Sequence, residues 1–255
     1  MSFSACAQLV ERADPTRFRA TMAAPVSARR ILFPLYAFNV EVARAPWVTE
    51  EPMIAEMRLQ WWRDSLEEIG AGGTIRKHEV VDALTEVLDA DGAKLLDSLI
   101  AARRWDIYKD AFEDAAHFDT YVDATSGHLM WTAARLLGAT AEDVVRDFAR
   151  ASGIANWFQA IPDLEDRGRK PLVDGSVAGV NRLVDQGLMC LGSAAAARRQ
   201  IPESAQPALL AGYAARPTLN RIQKAPRIVS EGKTVPHPMR DQIRFTHVAL
   251  RGWWV

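Results

Sequence analysis

Ile31, Leu35, Phe38 and Val42 recur at intervals of four, three and four residues. That is the spacing of one face of an amphipathic helix, and it governs nearly every apolar run in the chain. Leu59, Trp62, Leu66 and Ile69 make the next such face, widened by Met57 and Trp61. Gly70-Ala71-Gly72-Gly73 follows and predicts its end. Leu84, Val87 and Leu88 predict a short helix, and Leu95, Leu96, Leu99, Ile100 and Trp105 a long one. A helix over 121–137 should stop at Gly138. Thr140, with Asp143 three residues on, resembles a capping box for a helix reaching about Ala160. Further helices are expected over 183–199, from Leu209, and over 243–254. Pro34 predicts a kink or break in its helix, and Pro162 predicts an end. The stretches 163–179 and 226–238 read as loops. Nowhere do apolar and polar residues alternate between turn signals, so strands are not expected and the fold class is all-α.

Composition narrows the function. The 255 residues carry 31 basic and 32 acidic side chains, a net charge of −1, which gives no footprint for nucleic acid. Cys6 and Cys190 lie too far apart for a disulfide framework, so a reducing, cytoplasmic setting is the default. The first residues lack the apolar core of a secretion signal, and Glu11 and Asp14 argue against a transit peptide. No apolar run is long enough to span a bilayer, which leaves peripheral membrane contact only. No internal repeat and no linker rich in Pro, Gly or Ser appears, so 1–255 is read as one domain. His78, His117, His128, His237 and His247 show no ligand spacing.

Two strings stand out from this helical background: Pro34-Leu35-Tyr36-Ala37-Phe38-Asn39 and Arg58-Leu59-Gln60-Trp61-Trp62-Arg63. Adjacent indoles on an amphipathic helix usually fill a core, so Trp61 and Trp62 are expected to be buried against the face of Ile31, Leu35, Phe38 and Val42. As a pair, however, the strings resemble the squalene/phytoene synthase family, in its branch with mitochondrial complex I assembly-factor relatives. The resemblance runs from about Pro15 to Arg169. It implies the isoprenoid synthase fold, a helical bundle around a central apolar cavity. It also implies aspartate patches on two facing helices, because departure of a pyrophosphate needs Mg²⁺, and Mg²⁺ needs hard carboxylate oxygens.

Those patches are altered. The first string continues Asn39-Val40-Glu41-Val42-Ala43-Arg44, leaving the single acid Glu41 and placing Arg44 about where an aspartate is expected. The second patch corresponds to 153–169. Asn156, Gly168 and Arg169 match it, Ala160 replaces an aspartate, and Asp163, Glu165 and Asp166 lie nearby. The segment 121–127 keeps Tyr121 and Gly127, which line the substrate tunnel in the synthases, while Met130 replaces a second glycine. Asp106, Asp110 and Asp114 share a helical spacing but read as a hydrated face.

The resemblance then implies a cavity lined by Tyr36, Asn39, Tyr121, Gly127 and Asn156, with Arg44 and Arg169 near its mouth. The first functional expectation is a catalytically degenerate protein without cofactor, holding a prenyl- or lipid-like ligand and serving assembly of a membrane-associated protein complex. The alternative is a prenyltransferase that condenses prenyl diphosphates. It would use Mg²⁺ in a rebuilt site made of Glu41, Asp163, Glu165 and Asp166. A competing structural expectation is that Met130 and Trp157 close the cavity. Trp253 and Trp254 are expected in the core, because Ile243, Leu250 and Trp254 share one helix face, ahead of an interfacial role touching lipid.

Overall fold

The structure, a computed structural model, describes residues 2–234 and 237–255. Among them are thirteen α-helices and no strand. They are α1 (Ser2–Ala13), α2 (Pro15–Met22), α3 (Val26–Arg44), α4 (Pro52–Ala71), α5 (Glu79–Thr85), α6 (Ala90–Arg103) and α7 (Ala115–Val122). They continue as α8 (His128–Leu136), α9 (Glu142–Asp166), α10 (Val177–Ala196), α11 (Gln206–Leu210), α12 (Ala215–Lys224) and α13 (Pro238–Arg251). Among the described residues, no helix is long and apolar enough to cross a membrane.

The centre of the bundle is α3. From Leu32 to Val40 every one of its side chains is buried, the mark of a helix wrapped on all sides. It packs against α1, α2, α5 and α8, while α4 lies against α6, and α9 against α8, α10 and α12. Most buried apolar residues join one cluster, from Cys6 in α1 to Ile222 in α12 and Trp253 beyond α13.

Neither proline ends its helix. Pro34 and Pro162 sit inside continuous helices. Each lacks the N–H that would bond one turn back and costs about 3 kcal/mol in an isolated helix. In α3 the surrounding burial offsets that cost. In α9 the helix runs one turn past Pro162, which removes 163–166 from the expected loop. Other boundaries shift too. Thr140 forms no capping box, since α9 starts after Ala141 without a side-chain cap. The expected 121–137 helix opens into a π turn, Asp123–Gly127, between α7 and α8. The chain leaves helical geometry at Tyr108, so Asp106, Asp110 and Asp114 share no helix face. Asp114 instead caps α7, accepting from the His117 N–H at 2.8 Å. Part of the loop expected over 226–238, residues 235 and 236, lies outside the described residues.

One cap ties two helices together. Asp89 caps α6, accepting from the Gly92 N–H at 2.8 Å, and its other oxygen accepts from Arg135 of α8 at 2.8 Å. The Arg135 hydrogen bond, aided by Gly92, holds its carboxyl down at about 2. A carboxyl depressed in the folded state stabilises above its unfolded value of about 3.9, and the effect fades as pH falls toward 2. Asp89→Ala should therefore cost about 1 kcal/mol at pH 7, most of it from the cap because the ion pair is half-exposed. Urea unfolding of both proteins at pH 7 and near pH 2 checks this: the difference should narrow at low pH.

Candidate functional site

A cavity of about 320 Å³ opens between α3, the π turn and α9, with one wall from α2 and α6. Its floor depends on a close approach. A Cβ on Gly153 of α9 would fall 2.7 Å from Val122 Cγ1 and 2.8 Å from Ser126 Oγ. Glycine at 153 is what lets α9 lie against the π turn at all.

The helices decide what faces inward. On α3, Asn39 and Ala43 reach the cavity, and Trp47 follows from the 3-10 turn Ala45–Trp47. On α9 the inward positions are Gly153, Asn156, Ala160, Asp163, Leu164 and Arg167. The continuation of α9 past Pro162 sets this register. It turns Asp163, exposed at the rim, toward the cavity, whereas Glu165 and Asp166, also exposed, do not line it.

The first aspartate patch is altered more deeply than the sequence suggests. Arg44 does not stand at the mouth. It pairs with Glu41 at 2.8 Å on another face of α3, where both line a separate cavity of about 270 Å³ beside Trp61, Trp62 and His78. Glu41 therefore does not converge with Asp163. Among the described residues no group of three or more His, Cys, Asp or Glu side chains has metal-holding geometry. The residue set fits a Mg²⁺ cluster poorly, since Asp163 and Asp106 are the carboxylates on the cavity wall and Asp106 is already engaged.

Asp106 is 3% exposed. It accepts from the Tyr121 hydroxyl at 2.8 Å and from Arg103 Nη1 at 2.9 Å, and the same Arg103 nitrogen donates to Tyr121 Oη at 2.8 Å. Burial opposes the charge of Arg103, but Tyr121 and Asp106 more than offset it, so the guanidinium is held charged. Burial raises the Tyr121 hydroxyl above its usual range, so it stays protonated and donates. This closed triangle fixes Tyr121 at the cavity wall.

The structure gathers part of the expected lining. Asn39, Tyr121 and Asn156 face the cavity; Tyr36 and Gly127 do not. Tyr36 is sealed in the core beneath the Arg17 guanidinium, 5.5 Å from its ring centre, and burial pushes its hydroxyl up to about 12. Gly127 is buried within the π turn, where a Cβ would meet Asp123 Oδ1 at 2.5 Å. Arg169 is also displaced from its expected place at the mouth. It is 5% exposed and donates to the backbone carbonyls of Asp106 and Trp105 at 2.7 and 2.9 Å.

The positive charge of the cavity comes from residues the sequence did not single out: Arg17 of α2, Arg103 of α6 and Arg167 just beyond α9. Arg167 is exposed and lies 4.7 Å from the Trp47 ring centre. No spacing links three arginines from three elements, so a motif search does not find them. Further aromatic rings pack against Tyr121 and Trp157 of the cavity lining. Trp105 stacks on Phe112 at 4.0 Å, and Trp157 lies edge-on to Phe112, Phe118 and Tyr121 at 5.3–5.7 Å. Met130 is buried elsewhere in the core. An adjoining groove of about 550 Å³ shares Arg17, Asn156 and Ala160 and runs past Ala211, Gly212, Ala214 and Ala215.

Known proteins share this architecture. A complex I assembly factor 6 homolog of Drosophila melanogaster is 30% identical over 177 residues, covering 66% of this chain and 53% of that protein. Human complex I assembly factor 6 is 23% identical over 161 residues, covering 62% and 48%. The chain thus spans about half the length of these relatives. A dehydrosqualene synthase crystallised in complex with ligand superposes with a TM-score of 0.78 over 97% of this chain and 95% of that one, at 15% identity. That likeness establishes the helical isoprenoid synthase fold. The squalene/phytoene synthase profile matches residues 10–172, with both strings and the whole of α9 inside it, and the chain belongs to that family.

Proposed function

We propose that this chain is a binding protein that has lost synthase chemistry and holds an anionic amphiphile, with a role in assembly of a protein complex like that named for its relatives. One observation carries the reading. The inward faces of α3 and α9 present Asn39, Ala43, Asn156 and Ala160, with Trp47 beside them and Asp163 as the one unengaged acid on that wall, while Arg17, Arg103 and Arg167 line the same space, Arg17 paired with Asp14 and Arg103 with Asp106, which leaves Arg167 open to a ligand. Mg²⁺ needs several converging hard oxygens. A guanidinium open to the cavity, as at Arg167, instead repels the metal and pairs directly with a phosphate through its planar fork.

The cavity volume, at the small end of ligand pockets, suits a head group more than a long chain. A prenyl or acyl tail has room in the adjoining groove, past Ala211, Gly212, Ala214 and Ala215 and beside the Tyr213 ring. Trp47 and Asn39 would then flank the head group, with Arg167 closing over it from the rim. The competing transferase reading needs Glu41 and Asp163 to share metals, and the two side chains open into different cavities.

Titration of a fluorescent farnesyl phosphate in EDTA and in Mg²⁺ tests the proposal. Affinity should be equal in the two buffers. Arg167→Glu should weaken it at least tenfold, the loss of a charge-assisted contact plus a new repulsion. Since Arg167 is exposed, the fold should tolerate the change. A head-to-head product formed from labelled prenyl diphosphates only with Mg²⁺, and lost in Asp163→Asn, would sink the reading and restore the transferase.

A further inference from the structure

The face of α13 expected in the core is turned outward. Met239 is 69% exposed, Ile243 66% and Leu250 80%. With exposed Thr246 between them they follow one line at intervals of four, three and four residues, about 16 Å along the helix. One edge of this stripe is basic, because Arg240, His247 and Arg251 all lie exposed beside it. The other edge is Gln242 and Ala249, uncharged and exposed.

The opposite face anchors the helix. Phe245 and Val248 are buried, and Phe245 packs edge-on against Tyr213 at 5.1 Å. The Arg19 guanidinium lies over both rings, 5.0 Å from the centre of Tyr213 and 4.6 Å from that of Phe245. Just past the helix, Trp253 is 3% exposed and packs on Phe148 at 4.9 Å. Asp241, the one acid of α13, is turned inward: it pairs with Arg19 and accepts from the Tyr213 hydroxyl at 2.8 Å. The outward face is therefore apolar and cationic, with no carboxylate of its own.

We propose that α13 is a peripheral membrane foot, laying its Met239–Leu250 stripe into the interface of an anionic lipid surface. A helix that lies in a bilayer interface needs this arrangement, an apolar stripe with arginines beside it at head-group level. Charge complementarity selects the occupant. Anionic head groups answer Arg240 and Arg251, whereas a second copy of α13 offers no carboxylate on the same face to do so. The stripe is also convex and one helix wide, which suits a deformable lipid surface more than a shaped protein groove. The inference does not depend on what the arginine-lined cavity holds.

Flotation with vesicles tests it on the full chain without added ligand. Vesicles of phosphatidylcholine mixed with phosphatidylglycerol should carry the protein upward, and phosphatidylcholine alone should carry little. Ile243→Ser with Leu250→Ser should abolish flotation. Arg240→Gln with Arg251→Gln should weaken it about 25-fold, at about fivefold for each arginine near the surface. All four positions are exposed, so melting should stay near the parent's and certify the fold. Absence of flotation with the mixed anionic vesicles would overturn the proposal, as would flotation unchanged in the serine variant. A parent that dimerises without lipid and does not float, beside a monomeric serine variant, would assign the stripe to self-association and overturn it equally.

Discussion

Replacing Trp62 with alanine lowers the stability of the fold by about 3–5 kcal/mol, a fall in melting temperature of roughly 10 °C for a chain of this size. The indole is 4% exposed. It meets Phe38 of α3 edge-on at 5.5 Å, Trp61 at 5.0 Å and His78 at 5.2 Å, so removing it opens a void where α3, α4 and the start of α5 meet. Trp61 behaves differently despite being its neighbour. It is half-buried rather than buried and lines the small cavity with Arg44 and Glu41, with the Arg76 guanidinium 5.3 Å from its ring centre. Trp61→Ala should cost less than half as much. Chemical denaturation of the two variants separates the indoles. Equal costs would contradict the packing, and a Trp62 variant melting within a degree or two of the parent would free that indole for a ligand role.

The contrast between the two indoles illustrates what was legible in the chain. Spacing told which residues share a helix, and the two strings around Tyr36 and Trp61 told which fold the helices build. Neither told which way a helix turns once packed. The family pattern puts Arg44 near the cavity mouth because it stands where an acid is expected, yet the inward position is Ala43, one residue and 100° away. Ile243 and Leu250 share a face as expected, but that face looks outward.

Proline misled for a related reason. Local chemistry ends a helix at Pro162, and on that basis Asp163, Glu165 and Asp166 became neighbours in a loop. Packing against α10 and α12 carries α9 one turn further, and the helical register then separates Asp163 from the other two. The arginines of the cavity were illegible for a third reason. Arg17, Arg103 and Arg167 come together through tertiary folding alone, and charged residues dispersed along helices look like ordinary solvated faces until the bundle closes.

Arg169 shows the reverse case, a residue expected at the ligand whose largest effect should be on the fold. Its guanidinium lies 4.2 Å from the Trp105 ring centre and 5.7 Å from that of Trp47, while two of its nitrogens bridge the carbonyls of Trp105 and Asp106. Burial lowers its pKa from the usual arginine value, the mark of a charge removed from water. The clamp holds the 3-10 turn Arg104–Ile107 against the end of α9, and so positions the Asp106–Tyr121–Arg103 triangle that walls the cavity. Truncation to alanine would leave two backbone acceptors unsatisfied, at about 1–3 kcal/mol each, and would strip the faces of two indoles. Arg169→Ala should therefore cost about 3 kcal/mol or more. Arg169→Lys should recover little of it, because a single ammonium cannot span both carbonyls and stack as a plane. Unfolding titrations of the two variants measure this directly. If Arg169 were instead a rim contact for a head group, both variants would keep the parent's stability and lose only affinity for a prenyl phosphate. A stable Arg169→Ala protein with weakened binding would therefore move this residue from the scaffold to the site.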